Sequence, residues 1–402
     1  MTSTAPESAA QLLQDPPQFS LVHGGPLFQL LRRSHLSSDS LSLVMRRIAA
    51  FVLITWVPLA VLAARDGHLL GARLPVPFLL DVETHIRFLV AVPLLLAAEL
   101  IVHRRLLPVA RTFLERNLIP AEAMPRFDAA VASAFRLRNS VTAELLLLLF
   151  VYLIGVLVIW RRFAIDVPTW YTTLSGDGAQ LTHAGVWYAF VSLPIFQFLL
   201  LRWYFRLAIW IRFLWQVSRI QLALVPTHPD EVGGLGFLAN TVYAFSVLLV
   251  AHGALLAGQI ANRIFFAGAS FFDFKLEIAV LVVFLMCVVF APLLVFSLQL
   301  SWAKRRGLYD YGTFAEGYVR TFDRKWLRGT APQSEPLLGS SDIQSLADLG
   351  NSFSIVRNMQ LAPITRLAIL HLAAAVLVPL VPLLLTVMPL EELAKKLLGL
   401  VF

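Results

Sequence analysis

One cysteine, Cys287, is all the thiol chemistry this 402-residue chain holds. That excludes a disulfide within the chain and a cysteine-built metal site. Charge is scarce too: 14% of residues are charged, against about 25% in ordinary soluble domains. The sequence contains no His-Glu-x-x-His, no Gly-x-Ser-x-Gly and no phosphate-binding loop, so neither a metal nor a cofactor is expected. It has no internal repeat, which withholds support from an inverted-repeat transporter architecture. Its first 40 residues hold no apolar core followed by a small-residue cleavage site. The first apolar stretch is therefore expected to act as an uncleaved anchor.

What the chain has is hydrophobic length. Seven apolar stretches centre near 48–64, 86–102, 142–160, 184–201, 237–261, 277–300 and 365–387. Each approaches the roughly 20 residues needed to cross a hydrocarbon core. With the amino terminus placed inside, 24 of the 33 Lys and Arg residues fall in inside segments and 9 outside. This is the positive-inside bias of a multi-pass protein with its amino terminus cytoplasmic and its carboxyl terminus external. The expected class is all-α: an integral membrane helical bundle of about seven transmembrane helices with cytoplasmic helical extensions. The expected setting is a bacterial inner membrane. The net charge of +8 sits beside the spans, where anionic lipid and topology account for it. The partner it implies is the lipid bilayer, and no nucleic acid.

The chain divides into seven segments. Residues 1–45 form a loosely ordered cytoplasmic arm, and 46–103 hold the first two spans. Residues 104–140 form a cytoplasmic helical hairpin, with Phe127, Val131 and Phe135 on one face. The third and fourth spans occupy 141–222, the fourth continuing as a helix to about Gln221. On that extension Arg202, Arg206, Arg212 and Arg219 fall within an arc of about 140°. A voltage sensor spaces its arginines through the span itself. These cluster at one end, and a solvated or phospholipid-facing stripe is expected. A His-Pro-Asp turn and the fifth and sixth spans fill 223–300. A cytoplasmic helical segment covers 301–363, with a flexible link at 329–341, a capping box at Ser341-Asp342-Ile343-Gln344 and a short helix ending near Gly350. The last span and an interfacial tail make up 364–402. Prolines 58, 93, 194, 292, 379 and 382 lie within spans and predict kinks.

Three groups of residues could carry chemistry. The run His228-Pro229-Asp230-Glu231-Val232-Gly233-Gly234 demands a tight turn. His228, Asp230 and Glu231 could ligate a cation, the glycine amides could hold an anion, or Asp230 could bond its own backbone. The turn is expected to depend on Gly233 and Gly234 through backbone conformation more than on Asp230 through charge. In the fifth span, His252, Gln259 and Asn262 form a polar line among small residues spaced for close helix packing. For His252 two accounts stand, a packing histidine bonded across to another helix and a pore-lining or proton-sensitive residue, and the line is carried forward as a candidate polar path. Glu99 and Glu144 are expected to pair with Arg104 and Arg105 or with Arg202 and Arg206, or to form a cation site together. His371 in the seventh span is open to the same two readings as His252.

The stretch from His228 to Leu238 and the run from Ser340 to Asn351 resemble parts of a family of bacterial polytopic membrane proteins with no established activity. The resemblance covers about a third of the chain. It implies seven spans and carries over no functional residue. The functional expectation is a channel or transport protein passing an ion or small solute as a homo-oligomer. The alternatives are a sensor or scaffold docking a partner through basic cytoplasmic helices, and a lipid-modifying enzyme.

Overall fold

Proline placement shapes the long helices. In the computed structural model, which describes residues 19–22, 24–33, 43–70, 74–153, 155, 169–175, 178–329 and 340–386, the order of elements is as follows. Helix α1 spans Pro26–Arg33, α2 Val44–Arg65 and α3 Val82–Glu115. Helix α4 spans Met124–Arg138 and α5 Val141–Leu153. A hairpin of β1 (Thr172–Ser175) and β2 (Gly178–Leu181) follows. Then come α6 (His183–Ser218), α7 (Leu235–Ala267) and α8 (Phe271–Leu294). Helices α9 (Ser297–Phe322) and α10 (Ser341–Asn358) are polar, and α11 is Arg366–Thr386. About 79% of the structure is helical, so the all-α expectation holds.

Six of these helices, α2, α3, α6, α7, α8 and α11, are long and apolar enough to cross a membrane. The third apolar stretch of the sequence is described only as α5, up to Leu153, and Gly155. Its remainder lies outside the described residues, as do residues 1–18, most of the 329–341 link and the 391–402 tail.

Trp56 interrupts α2 one residue before Val57-Pro58. In α3 and α6 the response to proline is different. A π-helical turn at Ile86–Ala91 leads into Pro93, and one at Tyr188–Ser192 leads into Pro194. Proline has no N–H to donate, and its ring crowds the carbonyl four residues back. A wider turn upstream relieves that crowding. In α11, Pro379 and Pro382 fall in a 3₁₀ stretch, Val378–Thr386.

Helix α7 lies at the centre of the bundle, packed on α3 along one side and α11 along the other. Small residues make this approach close. A Cβ on Gly253 would stand 2.1 Å from the carbonyl oxygen of Val376. Two ends can be named from their segments. The hairpin end carries residues 66–70 and 74–81, the β-hairpin and the 268–270 turn. The basic end carries α1, α4, the 228–236 turn, α9 and α10.

At the basic end α4 packs on α6 as its apolar face requires. Phe127 is fully buried, its ring centroid 6.3 Å from that of Phe213 and 5.9 Å from that of Phe113. The described part of the amino-terminal segment corrects the expectation of a loose arm. Phe19 is fully buried and stacks on Phe213 at 4.4 Å. Arg138 donates to the Ser20 carbonyl at 2.7 Å, and Ser20 Oγ sits 2.8 Å from His103 Nδ1. An aromatic side chain that finds an apolar slot under the bundle outweighs the local disorder that Pro and Gly favour.

The capping expectation is corrected by one residue. Ser340, not Ser341, caps α10, accepting from the Asp342 amide at 3.1 Å. That helix continues through Gly350 to Asn358. A capping box does form, at Ser270 and Asp273 at the start of α8.

Candidate functional site

Polar groups gather inside the bundle at two levels. At the basic end, α3 presents Glu99 to three arginines. Arg47 of α2 lies 2.5 Å from it, Arg206 of α6 at 2.7 Å and Arg202 at 3.2 Å. Arg202 also meets Glu144 of α5 at 2.9 Å. All five residues are buried. Arg202 and Arg206 share a face because they are four residues apart. Arg206 stacks over Trp203, whose indole N–H donates to the Leu95 carbonyl at 2.9 Å. The amino-terminal segment joins in: the Leu27 amide donates to Glu144 at 2.8 Å.

The expected arginine stripe is therefore split. Arg202 and Arg206 face inward, where Glu99 compensates their charge, while Arg212 and Arg219 are exposed. The structure brings Glu99 and Glu144 to Arg202 and Arg206, and leaves Arg104 and Arg105 exposed. Arg47, not among the partners expected for Glu99, completes the cluster.

The 228–236 turn is closed on itself. Asp230 accepts from the amides of Val232 at 3.0 Å, Gly234 at 3.1 Å and Gly236 at 2.8 Å. The anion that these glycine amides hold is the chain's own carboxylate. His228 Nδ1 accepts from the Asp230 amide at 3.2 Å. Glu231 and both following glycines adopt positive φ, at 54°, 65° and 99°. Arg116 donates to the Gly234 carbonyl at 2.8 Å, and the Glu231 carbonyl accepts from Gln360 at 2.7 Å. Burial pushes the Asp230 carboxyl up, but the three amides and His228 outweigh it, so its pKa lies below the usual 3.8. Among the described residues no group of three His, Cys, Asp or Glu is placed to hold a metal ion.

The polar line on α7 is broken up. His252 is bonded between Tyr204, whose hydroxyl donates at 2.7 Å, and the Leu248 carbonyl at 2.6 Å. It borders a void of about 10 Å³, at the lower limit for a single water. Gln259 is exposed and lines a separate, much larger cavity. Asn262 lines that cavity too, but its side chain is committed: it accepts from the Val82 amide at 3.0 Å and donates to Asp81 at 2.7 Å. His252 and Gln259 thus share a helix face without sharing a path. Ala254, Ala257 and Gly258 between them are packed against neighbouring helices. His371 is placed beside Ser246 Oγ at 3.3 Å and against the ring of Tyr243.

The large cavity opens at the hairpin end and measures about 690 Å³. That is the size range of small-molecule sites. Its walls include Glu83 and Arg87 from α3, Tyr188 and Gln197 from α6, Gln259 and Arg263 from α7, and Tyr171 before the hairpin. Arg87 donates to both Glu83 and the Tyr188 hydroxyl. Behind this wall Asp81 is buried and accepts from the Thr84 hydroxyl at 2.6 Å, the Trp170 indole at 2.8 Å and Asn262. Burial raises the Tyr171 hydroxyl pKa, so it stays protonated. Arg87 and Tyr188 each sit on a π-helical turn, and a third such turn, at Val151–Leu153 and Gly155, borders the same space. Turns of this kind are frequent at functional sites.

Sequence reasoning missed most of this wall. Asp81, Glu83 and Arg87 were not among its candidate residues. Gln197 was the available signal, since a polar side chain in the middle of an apolar span is costly unless it faces protein or water. Comparison with known protein families, curated proteins and solved structures returns no match for this chain.

Proposed function

We propose that this chain is a multi-pass membrane protein that passes a small solute or ion. The observation that carries the reading is the 690 Å³ polar cavity sunk between α3, α6 and α7. Polar side chains at such depth in a membrane bundle mark a solute path. Below the cavity Phe88, Leu95, Phe196, Leu199 and Trp203 are buried in an apolar belt. Beneath that belt sits the Glu99 cluster. A cavity open to one end, an apolar seal and a charged lock at the other end suit a carrier that alternates its access better than an open pore.

In this reading the bundle has seven spans, with α5 entering the third. The amino terminus and the basic end face the cytoplasm of a bacterial inner membrane, and the carboxyl terminus faces out. The path lies inside one chain, so a homo-oligomer is compatible with it but not required by it.

Purified protein in liposomes should show flux of at least one member of a panel of small organic anions, cations and neutral solutes. Gln259→Leu should reduce that flux. Absence of flux for every solute, from protein shown to be folded, sinks the transport reading. One observation favours a second reading, a docking scaffold. At the basic end α9 leaves Trp302, Tyr309 and Phe314 at least 65% exposed. A partner seated on α9 without any flux would select it.

A further inference from the structure

Resting on the transport reading for its setting, we propose that the hairpin-end cavity binds a small organic carboxylate with a flat apolar body. The charges lining the cavity decide the sign. Glu83 and Arg87 neutralise each other as an ion pair four residues apart on one helix. Asp81 is not part of the lining, and its oxygens are taken up by Thr84, Trp170 and Asn262. Arg263 is the remaining charge. It is exposed at the cavity wall, and among the described residues no acid pairs with it.

The contact the Arg263 guanidinium does make leaves its donors free. It lies over the ring of Phe274 at 5.6 Å, an interaction through the ring face that consumes no N–H. The fork of donors is thereby oriented and remains available for bidentate recognition of a carboxylate.

Two tyrosines of the same lining supply the shape. Tyr171 and Tyr188 stack with ring centroids 5.4 Å apart and planes 18° from parallel. Trp170 meets both edge-on, at 5.1 and 5.4 Å, and packs the pair in place. A planar apolar body fits against such a surface. The amides of Gln197 and Gln259 add neutral polar contacts. Gln197 Oε1 is buried without a hydrogen-bond partner, a deficit a bound polar group can relieve.

The test uses the full-length protein in neutral detergent, titrated calorimetrically with benzoate, benzamide and benzylamine. Benzoate is expected to bind, with benzamide weaker by about tenfold and benzylamine weaker still. Arg263→Gln, at an exposed position, should leave the melting temperature unchanged and bring benzoate level with benzamide. Arg263→Lys should retain part of the preference. Tyr171→Ala should weaken benzoate without affecting acetate. Equal affinity for the three probes overturns the proposal, as does undiminished benzoate binding by Arg263→Gln. Displacement of benzoate by phosphatidylglycerol but not by acetate also overturns it, assigning the cavity to a lipid headgroup. Binding is read without flux, so the two proposals fail separately. Benzoate binding with no transport leaves the site and removes the carrier, while transport of another solute with no benzoate binding does the reverse.

Discussion

Arg206 of α6 and Glu99 of α3 meet at 2.7 Å with no more than 5% of either side chain exposed. Arg47 and Arg202 converge on the same carboxylate, so one acid holds three helices at the basic end.

Removing that acid should be severe. Glu99→Gln leaves three buried guanidinium groups with Glu144 as their acid, and should cost about 3 kcal/mol or more. Glu144→Gln should cost less, because among the described residues Glu144 pairs with Arg202 and with no other arginine. Thermal unfolding in detergent ranks the two. A Glu99→Gln protein as stable as the parent would show that the cluster is hydrated.

At the 228–236 turn the three amide bonds to Asp230 predict the opposite order of importance to the one expected from the sequence. Asp230→Ala strands three amides and should cost about 2 kcal/mol or more. Gly234→Ala strains a φ of 99° and brings a Cβ to 3.2 Å from a flexible Leu118 methyl, for about 1 kcal/mol. Melting temperatures of the two variants decide between the rankings.

The same aspartate sets a pH dependence. Its pKa is lower folded than unfolded, because the amide bonds and His228 outweigh burial. Its contribution is complete above the ordinary value of 3.8 and is lost as pH falls through the lower folded value. Asp230→Asn should therefore flatten the stability profile below about pH 4. Parallel urea titrations at pH 3 and pH 6 test this.

Close packing at the centre of the bundle gives a sharper expectation. Gly253→Ala places a methyl 2.1 Å from backbone on α11, and the two helices must separate, at a cost of about 2 kcal/mol or more. Gly312→Ala on α9 meets nothing closer than 3.7 Å and serves as the control. Equal melting temperatures would remove α7 from its packed position.

Orientation is accessible to labelling. In a Cys287→Ser background, Gln180→Cys should react with an impermeant thiol reagent on intact cells, and Gln344→Cys only after lysis. The reverse pattern inverts the proposed topology.

The helices were legible in the sequence because apolar length is a one-dimensional property. So was the packed centre of the fifth span, since small residues at four-residue spacing have few other uses in a membrane helix. The partners were not. Arg47 looked like one more cytoplasmic arginine, and only the three-dimensional approach of α2 to α3 pairs it with Glu99. Phe19, in a Pro- and Gly-punctuated segment, gave no local signal for the slot it fills beside Phe213. Gln259 and His252 stood on one helical face, but which neighbouring helix covers each of them decides whether that face is wet. The cavity wall draws on separated stretches of chain, near residues 83, 155, 171, 188 and 263, and no periodicity links them.

The π turns at Ile86–Ala91 and Tyr188–Ser192 have a mechanical meaning. Each holds one more residue than an α turn would. Returning that residue to the regular ladder rotates everything beyond it by about 100° and slides it about 1.5 Å. Arg87 and Tyr188 sit on these two turns and bond to each other across the helices. Two latched register choices, released together, would re-aim the cavity wall while leaving the remaining backbone hydrogen bonds of α3 and α6 in place.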